Sequence, residues 1–141
     1  MNNVLFSKNS DEWYTPRDYF YNLDKEFHFN LDPCSSDENF LCINHFTKED
    51  NGLNKDWGGY TVFCNPPYSE ISKWCEKCAL ESKKPNTVIC LLIPARTDTK
   101  YFHSFVLPLA EIRFIKGRLH FGGSINSAPF PSILCVYGGV K

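Results

Sequence analysis

Two consecutive prolines behind a short apolar run are what most constrain this chain. Tyr60 to Phe63 are mostly β-branched or aromatic, the run ends at Asn65-Pro66-Pro67, and a helix-period segment starts at Ser69. Proline fixes φ and has no N–H, so neither a central strand nor a helix interior runs through Pro66 and Pro67. The stretch reads as strand, rigid turn, helix. In open α/β sheets, ligand-binding residues gather at such turns, beyond the carboxyl ends of the strands. Asn65 offers an amide oxygen as acceptor, the prolines aim the neighbouring carbonyls, and Tyr68 presents a flat face for stacking on a planar ring. Together they suit holding a planar molecule by an exocyclic NH₂ group.

The other segments fit an α/β alternation. Thr87 to Ile93 is almost continuously apolar, as a central parallel strand buried on both faces should be. Phe27 to Leu31 alternates apolar and polar residues and stops at Asp32-Pro33, a strand ending in a turn. Ile112–Ile115 and Ile133–Tyr137 are two further strands. Helices are expected after Thr15, with Thr15 as N-cap, Pro16 in the first position and Phe20, Leu23 and Phe27 on one face. A second carries Ile71, Trp74, Cys75 and Cys78 as its stripe. A third runs over 98–107, capped by Asp98. Residues 44–59 read as a surface loop with a turn at Asp50-Asn51-Gly52. The pattern predicts one α/β domain over 1–141, with a mostly parallel sheet, helices on both faces and an antiparallel C-terminal strand.

Several function classes are disfavoured. No apolar run reaches membrane-spanning length, and the polar N-terminus lacks a signal-peptide core. Seven cysteines without a paired spacing imply reduced thiols in a cytosol. Cys75 and Cys78 form a C-x-x-C on a helical stripe with no second pair, so they read as buried apolar residues and no metal is expected. The Asp32-Pro33 corner has no G-x-G, which counts against a dinucleotide site. On the residues alone, Asp32 and Ser35 cap a turn. The net charge of −1 argues against tight, non-specific coating of DNA. Between Gly117 and Ser132 lies a long Gly/Ser/Pro-rich loop whose titratable groups are Arg118 and His120. Either these are solvated or they meet a phosphate or a base.

Asn65-Pro66-Pro67-Tyr68 resembles the [DNS]PP[YFW] motif of methyltransferases that use S-adenosylmethionine to methylate exocyclic amines. More narrowly, the chain resembles the phage-type DNA adenine (N-6) methyltransferases of the Dam group. The resemblance rests on six elements in order: Trp13-Tyr14-Thr15-Pro16; Leu31-Asp32-Pro33-Cys34-Ser35-Ser36; Asp50-Asn51-Gly52-Leu53 with Trp57; NPPYS; Leu91-Leu92-Ile93-Pro94-Ala95 with Thr97-Asp98-Thr99; and Gly117-Arg118-Leu119-His120-Phe121. It implies a compact class I, Rossmann-like methyltransferase fold. It also implies methyl transfer from S-adenosylmethionine, without metal, to the N-6 amine of an adenine flipped out of DNA, in the cytoplasm of a bacterial host. The residues it assigns to catalysis are Asn65, Pro66, Pro67 and Tyr68. To the cofactor it assigns Trp13, Tyr14, Thr15, Pro16, Asp32, Pro33, Cys34, Ser35, Asp50, Leu53 and Asn65, and Arg118 and His120 are its candidates for DNA. The motif also occurs in enzymes that methylate RNA or a protein glutamine, and a non-catalytic nucleic-acid-binding module is the alternative from another class. Neither a recognition sequence nor an oligomeric state is indicated.

Overall fold

The strand Val88–Pro94 (β2) is apolar at nearly every position because both of its faces are covered. In the computed structural model, which describes residues 13–122 and 127–138, β2 sits inside a four-stranded sheet. Thr61–Cys64 (β1) pairs with it in parallel, Thr61 opposite Val88 and Cys64 opposite Leu91. Ser132–Tyr137 (β4) pairs with its other side antiparallel, Leu91 opposite Cys135. Glu111–Phe114 (β3) lies antiparallel on the outer side of β4. The order is β1-β2-β4-β3. Three strands thus share one direction, and the antiparallel C-terminal strand stands between β2 and β3.

Side chains alternate across a strand, and here that period of two divides the core. One face carries Val62, Cys64, Ile89, Leu91, Ile93, Ile133, Cys135 and Tyr137. Against it pack Ile71, Trp74, Cys75 and Cys78 of the helix Ile71–Glu81 (α2), together with Phe102 and Val106. The other face carries Phe63, Cys90, Leu92, Leu134 and Val136, covered by Phe20 of the helix Arg17–Phe27 (α1) with Leu23 and Phe27, and by Phe121 and Ala128. Helices cover both faces. All seven cysteines are free thiols, and six of them are buried. Among the described residues no helix is long and apolar enough to cross a membrane.

Local expectations shifted where long-range contacts outweigh short patterns. Thr15 does not cap α1: Pro16 holds the cap position with no side-chain bond, and the Thr15 hydroxyl is taken by Asn65. Phe27 belongs to α1, which ends where His28 turns left-handed at φ 60°. The strand expected there shrinks to a parallel bridge of Leu31 to Val62 beside β1, fixed by Asn30 N–H to Thr61 O (2.8 Å) and Phe63 N–H to Leu31 O (3.0 Å). The helix expected over 98–107 is a π turn, Phe102–Val106, in which Leu107 N–H reaches back five residues to Phe102 O (2.8 Å). Residues 44–59 run over the surface as expected, with most side chains exposed, but Trp57 within them is fully buried and pins the loop to the core. Its indole N–H donates to Gly52 O (3.0 Å) and its ring lies 6.1 Å from that of Trp74. The polar arm 1–12 lies outside the described residues, as does 123–126 of the long C-terminal loop.

Candidate active site

Where β1 runs out, Asn65 makes a connection that local sequence does not reveal. Its side-chain amide donates to the carbonyl of Trp13 and to the Thr15 hydroxyl (2.9 Å), fifty residues away in the chain. A carbonyl only accepts, so the NH₂ end must face Trp13 and the oxygen must face the other way. That Asn65 Oδ1 is buried and has no hydrogen-bond partner among the described residues. A buried acceptor without a donor costs about 1–3 kcal/mol, and beside a cavity a water or a ligand can supply the missing donor.

The prolines shape the exit from β1. Pro67 is extended, at φ −64° and ψ 132°, and its carbonyl accepts the Glu70 N–H (3.1 Å), closing the 3-10 turn Tyr68–Glu70 that leads into α2. Tyr68 is half-buried within an aromatic group. Trp13 lies parallel to it at 6.1 Å and 15°, and Phe130 meets both edge-on at 5.5 Å. The Tyr68 hydroxyl is also buried without a partner among the described residues, and burial pushes its pKa well up against the opposing pull of Arg96.

Next to this group opens a cavity of about 460 Å³. Trp13, Tyr14 and Thr15 line it, as do Asp32, Pro33, Cys34 and Ser35, and Asn65 with Pro67. Asp32 is 4% exposed and accepts the N–H groups of Cys34 (3.3 Å) and Leu41 (2.9 Å). Burial outweighs those bonds and lifts its pKa from 3.8 to about 6. The Ser35 hydroxyl donates to Phe46 O (3.1 Å), and Cys34 Sγ lies 3.7 Å from Cys64 Sγ. The turn-capping reading of Asp32 is thus satisfied, and the same carboxylate borders the cavity.

Other expected residues stand elsewhere. Pro16, Pro66 and Tyr68 adjoin the cavity-lining residues in sequence but are not part of the lining. Leu53 packs into the core, and Asp50 is exposed, its carboxylate accepting the Thr47 N–H (2.9 Å) and hydroxyl (3.1 Å). Their neighbours Asn51 and Gly52 line the cavity, along with Thr47 and Lys48. A Cβ on Gly52 would stand 2.4 Å from Pro33 O, so only glycine lets the two loops meet. Sequence reasoning passed over Asn39, Leu41, Glu70 and Trp74, which also line the cavity. For Trp74 the signal was visible, since it lies on the α2 stripe. Arg118 and His120 are exposed and outside the cavity; the Arg118 guanidinium donates to Ala128 O (3.3 Å) across its loop. Among the described residues no cluster of three or more His, Cys, Asp or Glu is placed to hold a metal.

Comparison with known proteins yields one consistent result. The family model described as DNA N-6-adenine-methyltransferase (Dam) matches residues 3–130. A protein of Escherichia phage T1 named DNA N-6-adenine-methyltransferase is 34% identical over 111 residues, covering 77% of this chain and 46% of its own length. One of the same name from Haemophilus phage HP1 (strain HP1c1) is 32% identical over 113 residues, covering 77% of this chain and 65% of its own. The chain therefore spans about half to two thirds of the length of these relatives.

Proposed function

The chain belongs to the DNA N-6-adenine-methyltransferase (Dam) family, and from that premise we propose that it transfers a methyl group from S-adenosylmethionine to the exocyclic N-6 amine of adenine in DNA. The observation that carries this reading is the orphaned Asn65 Oδ1, fixed in direction by Trp13 and Thr15. An aromatic amine is a poor nucleophile because its lone pair is delocalised into the ring. Asn65 Oδ1 accepts one amine N–H. The turn consumes the Pro67 carbonyl, so the Pro66 carbonyl is the second acceptor. Drawing both N–H bonds to these acceptors localises the lone pair and aims it. Tyr68 stacks on the base, which must leave a duplex to reach it.

The residues of the cavity fit the cofactor. Asp32 can face an ammonium or a hydroxyl, Pro33 and Trp74 supply apolar surface, and no phosphate cradle is needed for a ligand without phosphate. When bound, S-adenosylmethionine supplies a methyl group already activated on a sulfonium, so the chemistry calls for neither a metal nor a covalent intermediate. Three strands in one direction with an antiparallel C-terminal strand support the class I fold. Arg118 and His120 are the DNA-facing groups of the C-terminal loop in this reading. The phage origin of the two relatives supports action in the cytoplasm of a bacterial host.

The test is where a labelled methyl group goes. Incubation with methyl-labelled S-adenosylmethionine and DNA should yield N-6-methyladenine, and Asn65→Ala should slow transfer by about a hundredfold to a thousandfold, as loss of one positioned transition-state group does. Label on cytosine, on RNA alone or on protein would overturn the assignment.

A further inference from the structure

At the rim of the aromatic group stands a cation, Arg96, that no carboxylate among the described residues neutralises. Arg96 comes just after the carboxyl end of β2, the strand next to the one that delivers Asn65. Its backbone is held tightly: its N–H donates to Pro94 O (2.9 Å), and its carbonyl accepts the Thr99 N–H (3.3 Å) and hydroxyl (2.8 Å). Just before it, Ala95 N–H donates to Pro131 O (2.8 Å), which ties this turn to the segment carrying Phe130, the ring set edge-on to Tyr68. Arg96 is thereby placed beside the stacking group, near enough for its charge to be felt at the hydroxyls of both Tyr68 and Tyr101.

The other arginines of the described residues are engaged. Arg113 pairs with Glu26 through two bonds of 2.7 Å, Arg17 donates to Asn39 Oδ1 (3.3 Å), and Arg118 donates to Ala128 O. Arg96 is exposed, and among the described residues its guanidinium makes no hydrogen bond and has no carboxylate within 4 Å, Asp98 included. A base drawn into a pocket stays attached to its sugar, so the flanking phosphates come to the mouth of that pocket. A guanidinium fixed at its root and free at its tip is suited to bind such a phosphate. Resting on the DNA-methylating reading above, we propose that Arg96 is a phosphate anchor for the DNA strand that carries the target adenine.

Binding of a duplex oligonucleotide over a series of salt concentrations tests this, with S-adenosylhomocysteine affinity measured on the same preparations. Arg96→Ala should weaken DNA binding about tenfold and reduce the salt slope by about one, with S-adenosylhomocysteine affinity unchanged. Arg96→Lys should keep the wild-type slope. Lys83→Ala, the same charge change at the end of the sheet where β2 begins, should leave the slope alone. An unchanged slope in Arg96→Ala overturns the anchor, as does a parallel loss of S-adenosylhomocysteine affinity; should that variant fail to fold, Arg96→Gln gives the same readouts. The two readings separate cleanly. Normal labelling of adenine with an unchanged slope defeats the anchor alone, whereas the expected slope with no label on adenine defeats methyl transfer and leaves the anchor standing.

Discussion

At the residue scale, two polar side chains of the candidate site, the part-buried Asn65 and the buried Asp32, are held in different ways. Asn65 is held by long-range donation, and its Oδ1 acceptor is left without a donor among the described residues. Asp32 has acceptors well supplied with N–H groups, yet burial still disfavours its charge. Because its folded pKa is raised above the unfolded value of 3.8, the carboxyl destabilises the fold as it ionises. Its contribution is fully favourable below about pH 4 and is lost as pH rises through about 6. A rise of that size corresponds to about 3 kcal/mol. Asp32→Asn cannot ionise, so its stability relative to wild type should improve by up to that amount between pH 4 and pH 7. Urea titrations of both proteins at the two pH values measure it, and a difference independent of pH would show that Asp32 does not titrate in this window. That Asp32 caps a turn was legible from its place before Pro33. The role of Thr15 was not: Thr-Pro-Arg-Asp reads locally as a helix start, and only the folded chain brings Asn65 to that hydroxyl.

At the scale of elements, periodicity foretold α2 and β2 because a buried face needs an unbroken apolar pattern. It failed where one anchoring side chain decides the structure. Residues 44–59 have a loop composition and mostly exposed side chains, yet Trp57 anchors them to the core, and the carboxylate that helps hold it comes from the end of α2. Glu81 is buried, accepts the Trp57 N–H (2.7 Å) and pairs with Lys84 (2.8 Å) and Lys77 (3.2 Å). Burial opposes its charge, but those bonds outweigh it and its pKa is lowered. An acidic residue in the last turn faces the negative end of the helix dipole, so it needs these partners. Glu81→Ala leaves the buried Trp57 N–H without its acceptor and the largely buried Lys77 without its carboxylate, and should cost about 3 kcal/mol or more. Glu81→Gln keeps an acceptor for Trp57 and should cost less. Chemical denaturation ranks the two; equal losses would show that the ion pairs, and not the Trp57 bond, hold this loop.

For the whole molecule, the sheet orders both the site and the sulfur atoms. The two sheet faces, each with its own helices, were legible because alternation in the strands is a local property; the insertion of β4 between β2 and β3 was not, since strand order depends on pairings between segments far apart in the chain, up to Ile89 with Tyr137. That sheet distributes the thiols through the interior. Cys64, Cys75, Cys78 and Cys135 lie on one face, Cys42 and Cys90 on the other, and Cys34 alone borders the cavity, half-buried, with its pKa raised by burial. A thiol reagent therefore reports on the fold and on the cavity at once, because thiolate is the reactive form and burial withholds both access and ionisation. In denaturant all seven cysteines should react promptly. In the native protein six should react only as fast as the chain unfolds, and Cys34 slowly on its own. Saturating S-adenosylhomocysteine should slow Cys34 further by occupying the cavity it lines, and should slow the other six by stabilising the folded state. Two or more promptly reactive thiols in the native protein would contradict this core, and Cys34 labelling that is indifferent to S-adenosylhomocysteine would place the cofactor somewhere other than the cavity between Asp32 and Asn65.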